Sequence, residues 1–596
     1  MREATGPRSA PLAAEAHLLQ PMIERSQREP QRVVAAYRRG NEFVDVTAGE
    51  VYQRVRAVAK GLVASGIAVG DRVALMSRSR LEWVITDYAI LAVGGVTVPA
   101  YETSSAEQVQ WILRDSGARI IVLEDADMHD LYTQVADSVP TCEEALVIDE
   151  GGLDLLAERG AMVDDADLDT RIASLTIDLL ATIIYTSGTT GRPKGCMLTH
   201  GNLRTNVLQN LDAVGDMLHP EGEVSLLFLP LAHSLAKIIT LVGVEWGVKA
   251  VFCSDVSRLQ EELALVQPTM VVSVPRVFEK VYNSAQHKAQ TEGHGGIFDK
   301  AADVAIRWSQ AHTDGGHHPI ISAEHAAMEP LVYHKIEEAF GSRLRFAFSG
   351  GGPLGERLTH FFHGVGVKIF EGYGLTETSP TLTVNRADSW RPGTVGRPLA
   401  NTTIRIADDG EILARGPQVF QGYWRNDAAT EETFDLEGWF KTGDIGELDD
   451  GYLRITGRKK ELIVTAAGKN VAPAPLEDRL RVHPLISQAV VVGDGRPFVG
   501  VLVTLDEDAI LEWATDHGLP GASSQELFER PELCNEIQTA VDQANGSVSR
   551  AESIRKFAVL PRDFTVAAGE LTPTLKVRRI VVEKTYGGVI DAMYSG

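Results

Sequence analysis

The chain has 596 residues, with 57 Lys and Arg against 81 Asp and Glu and a formal net charge of −24. That length suggests several domains, or one large catalytic body with an appendage, and 44% hydrophobic with 23% charged residues excludes wholesale disorder. The acidic balance argues against a polyanion binder, so no nucleic acid is expected as a partner, and any phosphate must be met by local Lys, Arg and backbone N–H groups.

Cys142, Cys196, Cys253 and Cys534 lie far apart with no CxxC pair, which fits a reducing compartment and excludes a cysteine-ligated zinc site of ordinary spacing. Met1–Leu19 has no apolar core of the kind a secretory signal needs. The most apolar windows are broken, Trp83–Tyr101 by Asp87, Gly94, Gly95 and Pro99, and Ile238–Phe252 by Glu245 and Lys249. Neither offers the ~20 apolar residues of a membrane span. The expectation is a cytoplasmic protein, with peripheral contact at the inner membrane face left open.

In chain order, short β-branched runs alternate with amphipathic helices from about Thr47 to Phe370. Strands are predicted at Arg72–Met76, Arg119–Leu123, Ala145–Ile148, Thr182–Tyr185, Val224–Leu229, Lys249–Cys253, Met270–Val274, Leu344–Phe348 and Lys368–Phe370, with helices at Glu50–Ser65 and Ala106–Ser116. This alternation predicts layered α/β sheets, largely parallel. The run Leu235–Val244 reads as a helix, either lining a ligand tunnel or belonging to plain core. Thr291–Ala323, with Gly293, Gly295-Gly296 and Gly315-Gly316-His317-His318-Pro319, reads as a mobile surface insertion, and its two histidines as an exposed polar loop rather than metal ligands.

After Thr402 the texture changes to hairpins. Thr402–Ala407 and Glu411–Ala414 flank Asp408-Asp409-Gly410, and Asp449-Asp450-Gly451 repeats the device before Tyr452–Thr456. A further hairpin is expected over Ala489–Val492, Gly493–Pro497 and Phe498–Thr504. The expected division is a large domain over 1–457, with a β-hairpin-rich subdomain, and a small mobile α+β domain over 458–596, the boundary falling at Gly457–Lys460.

Three glycine-rich segments carry the chemistry. Tyr185-Thr186-Ser187-Gly188-Thr189-Thr190-Gly191-Arg192-Pro193-Lys194-Gly195 exposes successive N–H groups, adds hydroxyls and closes with a lysine, a composition that cradles polyphosphate. It is not a Walker A loop, because Lys194 sits between Pro193 and Gly195. Gly350-Gly351-Gly352-Pro353-Leu354-Gly355 matches GxGxxG, and Glu371 follows 21 residues after Gly350, the spacing of a dinucleotide ribose acid. A nicotinamide-dependent oxidoreductase is therefore a rival reading. Glu371-Gly372-Tyr373-Gly374-Leu375-Thr376-Glu377-Thr378 combines an aromatic face, a hydroxyl and a carboxylate able to hold Mg²⁺. With the first loop it suggests an ATP site.

These strings, together with Leu229-Pro230-Leu231-Ala232-His233-Ser234, Gly438-Trp439-Phe440-Lys441-Thr442-Gly443-Asp444, Gly457–Lys460 and Thr572-Pro573-Thr574-Leu575-Lys576, resemble in order the motifs of the adenylate-forming enzymes. That superfamily holds acyl-CoA synthetases, nonribosomal adenylation domains and beetle luciferases. Gly457–Val464 with Gly468–Pro473 is most similar to bacterial long-chain fatty acyl-CoA synthetases. The resemblance demotes the oxidoreductase reading, since the loop matching Gly350, Gly351 and Gly352 then packs along adenine.

The resemblance implies an acid–thiol ligase using ATP, Mg²⁺, CoA and a fatty acid. Ser187, Thr189, Thr190 and Lys194 would hold the β- and γ-phosphates, with Thr186, Gly188 and Gly191 also in the ATP site. Thr376 would touch phosphate, Glu377 would bind the metal, Tyr373 would stack on adenine, and Glu371, Gly372 and Gly374 would complete the nucleotide site. Asp444 would accept from the ribose hydroxyls, a role suited to an acceptor-only group, and Arg458 would contact the nucleotide. Lys576 would bridge the reacting carboxylate and the α-phosphate; His233 would lie near the acyl–thiol junction, with a satisfied core histidine as the alternative reading. Lys460 would be the hinge of the small domain, and rotation would bring Gly468, Lys469 and Asn470 to the CoA channel. Two other readings stay open: an acyl-AMP ligase serving a carrier protein, and a catalytically silent acyl-nucleotide sensor.

Overall fold

The computed structural model describes residues 2–40, 42–186, 192–219, 222–313, 318–466, 469–519, 522, 524–528, 530–550, 552–572 and 575–595. Among them, strands Glu144–Val147, Ile120–Leu123, Arg72–Met76, Val96–Ala100, Leu180–Thr186 and Lys194–Thr199 form one sheet in that spatial order. It is parallel except for its last pair. Its inner strands are buried along nearly their whole length, as expected of a parallel sheet covered on both faces. The covering helices begin and end where local chemistry dictates. Thr47 and Glu50 form a reciprocal capping box at Ala48–Ala64, and Ser105 and Gln108 do so at Ala106–Ser116, which Gly117 ends in the left-handed conformation.

A second, larger sheet runs Arg397–Pro398, Thr381–Val384, Lys368–Gly374, Phe346–Ser349, Met270–Ser273, Val224–Leu227, Lys249–Phe252, Val33–Arg39 and Glu42–Thr47. Its central pairs are parallel. The helix Ser234–Trp246 connects two of its parallel strands and lies along one face. An antiparallel sheet of Glu3–Thr5, Thr403–Ile406, Glu411–Arg415, Phe440–Asp449 and Tyr452–Arg458 contains both predicted Asp-Gly hairpins.

One expectation is overturned. Much of the stretch Thr291–Ala323 is not a surface insertion but helix, Gly295–Thr313 followed by Pro319–Met328. Phe298, Ala301, Ala302, Val304, Ala305 and Ser309 are buried on one side of the first. The glycines that suggested a loop punctuate the helices: Gly293 turns the chain in the left-handed region and Gly295 opens the next helix. Close approach of Gly364 to the backbone of Ala305, where a Cβ would lie 2.2 Å from the carbonyl oxygen, lets Glu356–Gly364 pack against it. His317 lies outside the described residues, and among those described no group of three or more His, Cys, Asp or Glu is arranged to hold a metal ion.

From Ile463 onward the buried side chains cluster among themselves. Ile486–Val492, Val499–Leu505 and Ile554–Val559 make a mixed sheet carrying the expected hairpin, flanked by helices such as Pro531–Asn545. The chain is thus of mixed α/β class, with a large N-terminal body of layered sheets. No helix of the described residues is long and apolar enough to cross a membrane.

Candidate active site

One cavity of about 1340 Å³ is lined by residues of the three sheets of the N-terminal body and of the C-terminal unit. Its polar end is walled by Tyr373, Asp444 and Arg458, with Lys576 reaching in from the C-terminal unit. Asp444 and Arg458 meet because they are register partners across the antiparallel pair Phe440–Asp449 and Tyr452–Arg458. The Arg458 Nε lies 3.2 Å from Asp444 Oδ1. Tyr373, from the end of Lys368–Gly374 in the large sheet, donates its hydroxyl to Asp444 Oδ2 at 2.7 Å. Burial pushes the Asp444 carboxyl up and Arg458 opposes it. Burial and the neighbouring Asp444 hold the Tyr373 phenol far above its ordinary value, so it stays a donor.

Lys576 is presented by a tight turn. The Thr572 N–H donates to the Lys576 carbonyl at 2.8 Å, the Lys576 N–H donates to Thr572 Oγ1 at 3.0 Å, and Leu575 takes φ 60°. Lys576 Nζ lies 3.8 Å from where a Cβ on Gly351 would project. Gly351, at φ 81°, supplies both the left-handed turn and the room for that ammonium. Burial, with the Arg458 charge, lowers the Lys576 pKa to about 8, while Asp444 raises it.

Beyond Lys576 the cavity passes Thr376, Glu377 and His233. Thr376 Oγ1 is 3.2 Å from Ser234 Oγ, tying the glycine-rich strand to the start of helix Ser234–Trp246. His233 caps that helix, its Nδ1 accepting from the Leu235 N–H at 3.1 Å. Burial first, then Lys576, lowers its pKa to about 3, so the ring is neutral at pH 7 with its proton on Nε2. Glu377 Oε1 accepts from the Tyr423 hydroxyl at 2.8 Å, and Lys194 Nζ sits 5.0 Å from the Tyr423 ring centre. Tyr423 thereby couples the phosphate-loop lysine to the carboxylate. It was missed in the sequence because no glycine-rich string or acid–base pair surrounds it. Glu377 also suits Mg²⁺, which takes one or two carboxylates together with substrate phosphates.

Most of the predicted residues do gather here: Thr186, Lys194, Gly350, Gly351, Gly372, Tyr373, Gly374, Thr376, Glu377, Asp444, Arg458, Lys460 and Lys576 all line the cavity, as does His233. Ser187, Gly188, Thr189, Thr190, Gly191 and Gly468 lie outside the described residues. Glu371 does not face the nucleotide end. It is buried beneath the loop, accepting from the Leu354 N–H at 3.1 Å and Thr359 Oγ1 at 3.0 Å, so its acid braces the glycine loop instead of meeting ribose. Its GxGxxG-like spacing therefore serves loop support. Gly352 is also off the wall; a Cβ there would contact Pro275, 3.7 Å away. Lys469 points elsewhere in this arrangement, pairing with Glu552 at 3.2 Å.

The third stretch of the cavity is apolar. Leu235, Ile238, Ile239, Val242 and Gly243 recur at helical spacing on one face of Ser234–Trp246. Leu227, Ala250, Phe252, Met270, Val272 and Phe348 of the large sheet also line the cavity. The run Leu235–Val244 thus serves both as lining and, through buried Ala236 and Leu241, as core.

A cavity with a charged end for a nucleotide, an apolar channel and a lysine brought in by a separate C-terminal unit defines an adenylate-forming enzyme. Comparison with known proteins agrees: residues 23–424 match the AMP-binding enzyme family and residues 460–596 its AMP-binding enzyme C-terminal domain. The chain belongs to the AMP-binding enzyme family. It is 49% identical over 600 residues to a long-chain-fatty-acid–CoA ligase, FadD15, of Mycobacterium tuberculosis, covering 100% of each chain. It is 30% identical to the human long-chain-fatty-acid–CoA ligase ACSBG1, over 94% of this chain and 83% of that one. The adenylation domain of a carboxylate reductase from Mycobacterium chelonae has the same fold, with a TM-score of 0.74 at 23% identity, covering 98% of this chain and 91% of that one.

Proposed function

We infer that the protein is an ATP-dependent fatty acid–CoA ligase, activating a long-chain fatty acid as its acyl-adenylate and transferring the acyl group to CoA. The observation that carries this reading is the continuity of the cavity from the Asp444–Arg458–Lys576 end to the apolar channel beside Ser234–Trp246. The similarity to long-chain-fatty-acid–CoA ligases over the full chain supports the substrate class.

In the first half-reaction a carboxylate oxygen attacks the α-phosphorus of ATP; the new O–P bond forms as the bond to the bridging oxygen breaks, and pyrophosphate leaves. This step needs charge stabilisation more than proton transfer. Lys576 holds a point charge where the carboxylate and α-phosphate meet. The N-terminus of helix Ser234–Trp246 adds a partial positive charge beside Thr376. Asp444 accepts from the ribose, Arg458 fixes Asp444, and Lys194 with the 186–191 loop receives the β- and γ-phosphates. Mg²⁺, when bound at Glu377, offsets the triphosphate charge. In the second half-reaction the CoA thiol gives up its proton to solvent, its sulfur bonds to the acyl carbon, and AMP leaves as the acyl carbon–oxygen bond breaks.

One site can serve both half-reactions only if the C-terminal unit withdraws Lys576, and we place its boundary at Gly457–Lys460, with Lys469 and its neighbours turning toward CoA. Separate packing of the residues after Ile463 supports that division. Lys460→Pro fixes φ near −65° and removes a donor, so it should keep ATP–pyrophosphate exchange yet slow thioester formation about a hundredfold or more, leaving adenylate on the enzyme in a single turnover. Thioester formation at the wild-type rate would move the hinge elsewhere. A cytoplasmic site of action belongs to the same reading, supported by four unpaired cysteines, which suit a reducing compartment.

A carrier-protein acyl-AMP ligase would be expected to carry an extra segment that restricts rotation of the small domain; between Asp444 and Gly457 the strands are joined only by the tight turn at Asp450-Gly451. A catalytically silent sensor would be expected to lack the mobile lysine or the magnesium carboxylate, whereas Lys576 and Glu377 are both present and line the cavity. The deciding experiment measures AMP release from ATP across fatty acids of graded length, with and without CoA. AMP release that needs both fatty acid and CoA supports the ligase; pyrophosphate release in the same assay with adenylate accumulating and no AMP released on adding CoA would favour the carrier-protein enzyme, and no pyrophosphate release with any acid would refute both.

A further inference from the structure

Beside the C-terminus of helix Ser234–Trp246 the cavity wall includes a cation. Arg25, on the helix Gln20–Arg28, lines the cavity together with Gly247, the residue that closes helix Ser234–Trp246 in the left-handed conformation at φ 88°. A Cβ on Gly247 would lie 2.4 Å from Arg25 Nη1 and 2.5 Å from Cζ, so the guanidinium rests directly on the glycine backbone. Its Nη2 donates to the Glu245 carbonyl at 2.9 Å, and Nη1 lies 3.6 Å from Glu29 Oε2. Arg32 donates to the Gly247 carbonyl at 3.0 Å and to the same Glu29 carboxylate at 2.8 Å. The arginines thus meet orphan carbonyls at the helix C-terminus, where a cation is favoured. Only 13% of the Arg25 side chain is exposed, and its buried Nε has no hydrogen-bond partner among the described residues.

We propose that Arg25 is the stop at the far end of the acyl channel and sets the upper limit of fatty acid length. This rests on the acyl-CoA ligase reading and names a specificity determinant within it. A methyl terminus offers nothing that could compensate a buried guanidinium for lost hydrogen bonds, so an acyl chain cannot displace it. An apolar side chain at the same point would yield at less cost. The helix itself measures the distance. From Ser234, beside Thr376, to Gly247 is 13 residues, or roughly 20 Å at about 1.5 Å per residue. An extended peptide gains ~3.3–3.6 Å over three bonds, so an extended hydrocarbon gains about 1.2 Å per bond and fills the channel at about 16 carbons.

The test uses the full chain and even-numbered saturated fatty acids from C8 to C24, reading kcat/KM for CoA-dependent AMP release. The wild type should fall at least tenfold between C16 and C20. Arg25→Ala should raise the C20-to-C12 ratio at least tenfold. Equal loss at C12 and C20 in that variant, or an unchanged ratio, would make Arg25 a helix cap only and overturn the proposal. Because Arg25→Ala removes a cap and could prevent folding, Gly243→Leu provides a second test with Arg25 in place. Gly243 lines the channel one turn before Gly247, with its nearest neighbour 3.8 Å from a built Cβ. The added side chain should lower the limit by about four or five carbons, the same ~6 Å of helix. An unaltered length profile in Gly243→Leu would mean that the acyl chain does not run toward Arg25. Wild-type inactivity with every length would instead refute the ligase reading itself.

Discussion

Around the nucleotide end of the cavity, Tyr373, Asp444, Arg458 and Lys576 come from three separate stretches of chain and are fixed by directional bonds and charge. Along the acyl end, Leu235, Ile238, Val242 and the facing sheet residues are fixed by packing alone. The difference teaches what each end can discriminate. A charge held in a buried site changes a barrier by a large step when it is removed. Apolar contact changes affinity in small increments, about 0.8 kcal/mol per buried CH₂, so an acyl chain seated there would be graded by its length.

The largest break in that contrast should come from Lys576→Ala. Fatty-acid-driven ATP–pyrophosphate exchange is expected to fall by about 10²–10³ or more, with thioester formation from supplied acyl-adenylate retained. Equal loss in both assays would remove the separation of roles. Next, Asp444→Ala should weaken ATP binding roughly tenfold to a hundredfold, since a hydrogen bond to a charged group contributes about 1.5–3 kcal/mol; calorimetry showing unchanged affinity would take the ribose away from Asp444.

Proton concentration offers a graded probe of the same end. Burial and Arg458 disfavour the charged form of Lys576, so its charge is present below a pKa of about 8 and lost above it. The kcat/KM for ATP in the exchange reaction, which reports the free enzyme, should therefore decline by about tenfold per pH unit beyond that point. Lys576→Arg, which keeps its charge, should flatten the decline. A profile level to pH 10 in the wild type would contradict the buried lysine. The smallest effect belongs to the apolar wall. Val242→Ala removes two methyls' worth of contact and should raise KM for a long fatty acid by only a few-fold, leaving ATP affinity measured by calorimetry as it was. A change in ATP affinity would show that the two ends are not separable.

Much of the polar end was legible in the sequence because phosphate and nucleoside recognition needs particular atoms in short strings. Gly351 must take φ 81°, and Lys576 must follow a turn-forming run. Glu371 misled for the same reason: its spacing from Gly350 fitted a ribose acid, whereas burial under Leu354 and Thr359 gives it a bracing role. Thr291–Ala323 misled because its glycines read as a loop, although Phe298 and Val304 have a core to enter. Tyr423 and Arg25 carried no local signal at all.

The sequence by itself determined the α/β class, the ordered motifs, the hairpin turns and most of the residues that line the polar end of the cavity. These follow from backbone sterics and short-range chemistry, which act within a few residues. Only the tertiary structure decided that Asp444 joins Tyr373 to Arg458, that Tyr423 links Lys194 to Glu377, and that Arg25 lines the same cavity as helix Ser234–Trp246. An apolar channel is a space left between a helix and a sheet. Its shape depends on how distant side chains fill volume, and Leu, Ile and Val read the same whether they line a void or close it.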